Sequence, residues 1–360
     1  MIKKLTKRIF LTLLYWSGFM RVYLRLSEAK VIVMCGHGVM DYSLATNWRP
    51  LRKQLDVAVL REQLGLLSRY FDFVDMNFAV DALIGRQELK RSSIAITFDD
   101  GYQNNFEYAV PILREFKCPA TYYVVTEFLD SSRTFWFDRL DFAFQSAWQK
   151  NITLKIDGQT HDLGGLSPSG LESLYGDIRT NAKKKCRSDK EFYEYVESLA
   201  RDLEHATGET LAEVQSSDPW SAIVSKVDLR MAANDEYVEI GSHTMNHVRL
   251  TCTSHDIVMT ELSDSKTKVE EITGSECKHF AYPNGEHNKE ISRLVKNSGY
   301  QSAVTTTYGV NSIGCDVYRL HRIAFPTKIS AAELLARVSG LEQRISDLLS
   351  AFTRNNNLDA

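Results

Sequence analysis

Apolar and polar positions along this chain fall into blocks that read as strand, turn and helix. Val31-Ile-Val-Met-Cys35 is a continuous apolar run that ends in Gly36-His37-Gly38. Ser93-Ile-Ala-Ile-Thr-Phe98 is a second such run, ending in Asp99-Asp100-Gly101. Short apolar runs bounded by turn residues predict buried strands. Between them, Val59, Leu60, Leu64 and Leu67 recur at helical spacing across residues 57–70. Residues 104–117 predict a further helix and 120–125 the next strand. Strand, turn, helix, strand is the pattern of a parallel sheet.

The rhythm breaks over residues 131–227. Asn151-Ile-Thr-Leu-Lys-Ile156, the pair Asp157-Gly158 and residues 159–163 predict a hairpin with a D-G turn. Residues 189–206 predict a charged helix. This stretch reads as an inserted cap subdomain. The strand–helix alternation resumes at residues 237–240, 280–282 and 301–305, with helices expected near 254–273 and 287–298. The organisation expected is a basic amphipathic N-terminal helix (1–28), an α/β domain (29–330) carrying the insertion 131–227, and a helical tail (331–360).

On a helical wheel of the N-terminus, Lys3, Lys4, Lys7, Arg8, Arg21 and Arg25 share one arc. Ile2, Leu5, Ile9, Leu13, Trp16, Phe19, Met20, Tyr23 and Leu24 share the opposite one. Such a helix suits a membrane interface with anionic lipids; packing against its own domain is the alternative. The uncharged run between Arg8 and Arg21 is too short to span a bilayer. No small-residue cleavage site follows it. The expectation is a cytoplasmic protein, peripheral at the inner face of the cell membrane. An exported form with an uncleaved N-terminal anchor is the alternative.

Composition narrows the class. The chain has 360 residues, with 43 Lys+Arg against 46 Asp+Glu and a net charge of −3, so no nucleic-acid partner is expected. The six cysteines lie far apart and form no C-x-x-C pair, which predicts reduced thiols rather than a disulfide scaffold or a cysteine zinc cluster.

Three polar clusters each follow an apolar run: Thr97-Phe-Asp-Asp-Gly101, Ser242-His-Thr-Met-Asn-His247 and Tyr282-Pro-Asn-Gly285. Strand C-termini converge on one face of parallel α/β folds, so these clusters can meet. His243 and His247, four apart, would share one side of a helical turn. Two histidines and a carboxylate, here Asp100, form a common hydrolytic zinc set. Asp99 would point elsewhere and take a proton from the bound water. Each cluster alone is commonplace; the three together in this order are specific.

Thr97–Gly101 matches the T-F-D-D-G motif, and Ser242–His247 contains the H-[ST]-x-x-H motif, of the polysaccharide deacetylases of carbohydrate esterase family 4. The sequence is identified as a member of that NodB-homology family over roughly residues 31–325. The resemblance implies a distorted (β/α) barrel, here with an inserted helical and hairpin cap. It also implies removal of acetyl groups, typically from N-acetylated sugars, with Zn²⁺ or another divalent transition metal as cofactor. An acetylated sugar or glycan is the implied partner. Carried over, Asp99 is the base and Asp100, His243 and His247 are the metal ligands. Tyr282, Pro283 and Asn284 line the substrate groove, with the Asn284 N–H as oxyanion donor.

The sequence departs from the family pattern in places. The arginine that orients the base in the third motif is replaced by Ala281. The fourth motif is not visible. Leu320-His321 resembles the general-acid motif only faintly. Cys35-Gly36-His37-Gly38-Val39 and Phe280–Gly285 resemble elements of the xanthan and exopolysaccharide branch instead, which makes His37 the better candidate acid and His321 the second. Trp136 could stack on a sugar ring, although a core cluster with Phe135, Phe137 and Leu140 is the preferred expectation. O-deacetylation uses the same groups and is one alternative. A weakly catalytic glycan-binding or assembly protein, suggested by the missing arginine, is another. An aspartyl phosphotransferase would leave the paired histidines unexplained.

Overall fold

Seven parallel strands follow one another around a closed barrel in chain order. The computed structural model describes residues 2–44, 46, 48–186 and 188–345. The strands are β1 (Val31–Gly36), β2 (Ser93–Phe98), β3 (Ala120–Val124), β4 (Val238–Ser242), β5 (His279–Ala281), β6 (Ser302–Tyr308) and β7 (Leu320–Ala324). β7 returns to pair with β1, setting Arg322 opposite Val33, and β1 pairs with β2 from Val31–Ser93 to Gly36–Phe98. The ladder slips between Val304 and Tyr308, where β6 meets β7. A two-residue strand, Asp72–Phe73, flanks β2 outside the barrel. The apolar runs therefore mark the strands correctly, and the distorted (β/α) barrel is the fold.

Closure explains why these strands are apolar on both faces. Val33, Ala95, Tyr123, Ala281, Val304 and Leu320 pack in an inner cluster with Met76, Ala79, Val80 and Leu83 of the helix Met76–Leu83. That helix plugs the end from which the strands start. Ile32, Met34, Ile94, Ile96 and Phe280 face outward onto Leu60, Leu64, Leu262 and Val269 of the surrounding helices. Side-chain alternation thus leaves the opposite end of the barrel for polar groups.

The insertion is a cap with its own core. Helices Trp136–Gln149, Pro168–Lys185 and Asp189–Thr207 and the hairpin Thr153–Ile156/Gln159–Asp162 bury Leu140, Phe144, Ile156, Tyr175, Val196 and Leu203 together. The hairpin turns where predicted, at Asp157 (φ 51°) and Gly158 (φ 83°), the left-handed pair that a two-residue loop requires. Arg139 ties the first cap helix to the third through paired hydrogen bonds to Glu204 of 2.7 Å each.

Two expectations need correction or limits. The N-terminal segment is two helices, Ile2–Trp16 and Phe19–Leu26, not one, because Gly18 takes φ 75° between them. The tail is helical at Ala331–Val338, capped by a reciprocal Ser330–Glu333 box. Residues 346–360 of the expected tail lie outside the described residues.

Candidate active site and metal centre

The site begins where β2 ends. Asp99 donates its N–H to the Gly36 carbonyl at 3.0 Å, the last rung of the β1–β2 ladder. The chain then turns sharply through Asp100 (φ 75°) and Gly101 (φ 76°). This left-handed step sends the two adjacent carboxylates in different directions. A side chain at Gly101 would also press on Val124, at 3.2 Å. Left-handed backbone at Asp100, Thr244 (φ 68°), His247 (φ 57°) and Asn284 (φ 56°) gathers strain around one site, as functional constellations do.

His243 follows β4, and His247 returns beside it through a loop, not through the helical turn expected from their spacing. Thr244 Oγ1 accepts the His247 N–H at 2.9 Å. Glu261 accepts the N–H groups of Met245 and Asn246 at 2.8 and 3.0 Å and so clamps the loop from the neighbouring helix. The rings of His243 and His247 lie 4.9 Å apart.

Asp100, His243 and His247 are buried, and one ligand atom from each lies within 4.8 Å of the others. Both histidine Nε2 atoms stand 3.7 Å from Asp100 Oδ1, too far for hydrogen bonds. His243 Nδ1 meets the Ala281 carbonyl at 2.7 Å. A carbonyl only accepts, so Nδ1 carries the proton and the Nε2 lone pair faces the other two ligands, as in histidines that bind metals. Burial, reinforced by His243, pushes His247 down to about 3 and keeps it neutral. Burial opposes the Asp100 charge, but His37, Arg52 and the two histidines outweigh it and hold its pKa below the usual range. Three convergent donors, none satisfied by another, fit a divalent ion. Two imidazoles and one carboxylate suit zinc among the transition metals.

Asp99 turns to the barrel interior and meets Arg322 of β7. The guanidinium donates to both carboxylate oxygens, at 2.8 and 2.7 Å. Further bonds to Thr305 O (2.7 Å) and Thr97 Oγ1 (3.2 Å) fix the arginine itself. Burial would raise the Asp99 pKa; Arg322 reverses this and holds the carboxyl well below the usual range. The arginine missing at Ala281 is therefore supplied by another strand. Its signal in the sequence was an arginine two residues after Leu320 and next to Ile323, both buried, in the last strand.

A second arginine, Arg52, was also missed. Its Nη2 lies 3.5 Å from Asp100 Oδ2 and 2.8 Å from the Tyr102 hydroxyl, and its guanidinium covers the Phe137 ring at 4.0 Å. Phe137 and Asp138 belong to the first cap helix. Tyr102 donates to Asp138 at 2.6 Å, and burial pushes Asp138 up to about 7. Asp141, one turn on, accepts the Leu51 N–H at 2.7 Å. The insertion thus builds the wall behind Asp100.

The other predicted residues divide. His37 follows β1, is exposed, and lies close enough to Asp100 to act on its charge. Loss of hydration pushes its pKa down, with the Asp100 charge opposing. His321 is corrected: Leu320 and Arg322 point into the barrel, so alternation turns His321 outward with Ile323, away from the site. Tyr282 and Pro283 are corrected as well, since both are buried. The Tyr282 hydroxyl donates to Tyr318 O at 2.9 Å, a structural bond. Asn284 reaches the surface, and Gly285 behind it is confined by Thr306, whose backbone N a side chain would meet at 2.4 Å. Phe135 and Phe137 are core, as expected, but half-buried Trp136 forms the wall of a cleft of about 280 Å³. Phe192 and Tyr193 of the cap and Arg249, Asn284 and Glu286 of the barrel loops line the same cleft.

A polysaccharide deacetylase family model matches residues 86–303. YxkH of Bacillus subtilis, provisionally named a polysaccharide deacetylase, is 28% identical over 105 residues, which is 29% of this chain and 38% of that protein. The match thus covers well under half of that relative. The deacetylase PplD of Streptococcus pyogenes, solved in complex with acetate, superposes with a TM-score of 0.55 at 17% identity, covering 87% of this chain and 99% of PplD. IcaB from Ammonifex degensii gives 0.55 at 16%, covering 87% and 98%. At such identities these two structures speak for the fold alone.

Proposed function

The chain belongs to the polysaccharide deacetylase family, and from that premise we propose that it is a divalent-metal hydrolase releasing acetate from N-acetylated sugars of a glycan or its lipid- or nucleotide-linked precursor. One observation carries this reading: the Asp100–His243–His247 triad stands beside an Asp99 that Arg322 keeps ionised. A bound Zn²⁺ or similar ion would lower the pKa of a water and polarise the acetyl carbonyl.

The chain's own residues complete the chemistry. Asp99, ionised and oriented, takes one proton from the attacking water. The new bond joins that oxygen to the acetyl carbon. Arg52 holds the outer oxygen of Asp100. Asn284, at the surface of the cleft, is the oxyanion donor by family analogy. The C–N bond breaks as His37 protonates the departing amine, so acetate and a free amino sugar result. Trp136 offers an aromatic face to a sugar ring in the adjoining cleft. His37 and the Phe280–Gly285 element keep the exopolysaccharide-type branch as part of this proposal.

The binding-protein alternative rested on the arginine absent at Ala281. Arg322 removes that support. The O-deacetylase alternative shares every group, so substrate must separate them. Acetate release should be at least about tenfold faster from N-acetylated than from O-acetylated glycan oligomers; the reverse preference would reassign the substrate. His37→Gln should lower kcat by about a hundredfold and remove the alkaline limb of the pH profile. An unchanged rate would remove His37 as the acid.

A further inference from the structure

The N-terminal helical pair leaves an apolar face in solvent. Leu11 and Met20 anchor it to the domain, each 2% exposed. Lys7 and Arg8 of the basic arc pair with Glu342 and Glu333. The expected apolar arc divides: Met20, Tyr23 and Leu24 pack on the domain, whereas Ile9 is 54% exposed, Leu13 65%, Trp16 79% and, on the second helix, Phe19 41%, with Val22 54% and Leu26 83% beside it in sequence. Large side chains grouped this way on two consecutive helices are unlike the scattered exposed apolar residues of ordinary surfaces.

A cationic cleft adjoins the second helix. Arg21, Arg25, Arg69, Lys90 and Arg91 line a space of about 850 Å³ together with Val22 and Tyr70. Arg91 is paired with Asp72. Among the described residues, Arg21, Arg25, Arg69 and Lys90 have no carboxylate within ion-pair distance. Arg21 lies over the Tyr70 ring at 5.8 Å.

We propose that these helices and this cleft dock the protein on an anionic lipid bilayer. The apolar side chains enter the headgroup–acyl boundary, and the four unpaired cations take lipid phosphates. The chemistry of the patch selects this occupant: exposed aromatic and aliphatic side chains meet the cationic cleft at Val22, which belongs to both. The contact is peripheral, since no helix among the described residues is long and apolar enough to cross a membrane.

Ala29 and Ser92, on the wall of the cleft, lie two and one residues before β1 and β2, whereas His37, Asp99 and Asp100 follow their ends. Six residues of strand separate the two, or roughly 20 Å. The cationic cleft and the site therefore sit at opposite ends of these strands. The docking itself is independent of the deacetylase reading.

The test is co-sedimentation of the full chain with phosphatidylcholine vesicles, with and without about one-third phosphatidylglycerol. The wild type should pellet at least about tenfold more strongly with the anionic vesicles and lose binding as salt rises. Leu13→Glu/Trp16→Glu and Arg25→Glu/Lys90→Glu should each cut that partition at least about tenfold, with circular dichroism unchanged because these side chains are exposed. Equal sedimentation with neutral vesicles, or folded variants that bind like the wild type, would overturn the proposal. So would absent vesicle binding in a chain that light scattering shows as a dimer and that Leu13→Glu/Trp16→Glu makes monomeric. That result would assign the patch to a second copy.

Discussion

Arg322→Met should lower kcat for acetate release by about two to three orders of magnitude, because it removes both the orientation and the ionisation of the base. The wild-type guanidinium makes two short bonds to Asp99 in a site where both partners are buried. Methionine fills much of the volume but leaves a carboxylate without a counter-charge. Breaking one side of a buried pair costs about 3–5 kcal/mol of stability, so the variant should also melt earlier. Arg322→Lys guards against simple misfolding: it keeps the charge, loses the forked geometry, and should fall between the two in rate.

The pH dependence has a definite sign. Arg322 sets the folded-state pKa of Asp99 below its unfolded value of about 3.9. The stabilisation is therefore complete above that unfolded value and fades as pH falls through the folded one. Wild type and Arg322→Met should differ most in stability near neutral pH and converge in strong acid. In the variant, the largest influence opposing burial is gone and only His243 and His37 still oppose it, so the acid limb of kcat/KM should move up. An acid limb that stays in place would detach Asp99 from the role of base.

The second large effect concerns the triad. His243→Ala should abolish tight binding of a single Zn²⁺ and reduce turnover by about a thousandfold or more, the loss expected when Lewis-acid assistance of several kcal/mol is removed. Asp99→Asn should reduce turnover by a similar factor while still binding the ion, because Asp99 points at Arg322 and away from the histidines. Calorimetric Zn²⁺ titration of both variants beside acetate assays separates ligand from base. An Asp99→Asn protein that binds no metal would merge the two roles and contradict the assignment.

The barrel was legible because its signals are local. A strand buried on both faces must be a continuous apolar run, and a turn residue must end it; Val31–Gly36 and Ser93–Phe98 satisfy both. The candidate triad was legible because Asp100 and His243 sit at the ends of such runs and His247 four residues beyond His243. What stayed hidden depended on contacts between distant segments. Arg322 and Asp99 have no shared local pattern, and only closure of β7 on β1 brings them together. Arg52 reaches Asp100 only because the cap helix places Phe137 under its guanidinium. That helix, Trp136–Gln149, buries Asp138, Asp141 and Gln145 along with its apolar residues, so its polar positions do not mark a solvent face. Tyr282 looked like a groove residue by motif position, yet its hydroxyl is spent on the Tyr318 carbonyl inside the fold. The two histidines converge on Asp100, but through a loop with positive φ at Thr244 and His247 in place of the expected helical turn.

The most direct measurement is acetate release from an N-acetylated glycan oligomer by chelator-stripped wild-type protein as Zn²⁺ is added back. The Asp100–His243–His247 centre predicts negligible release from the stripped protein and a linear recovery that saturates at one equivalent of metal per chain. Full activity without metal, or metal binding with no acetate released from any acetylated glycan, would contradict it.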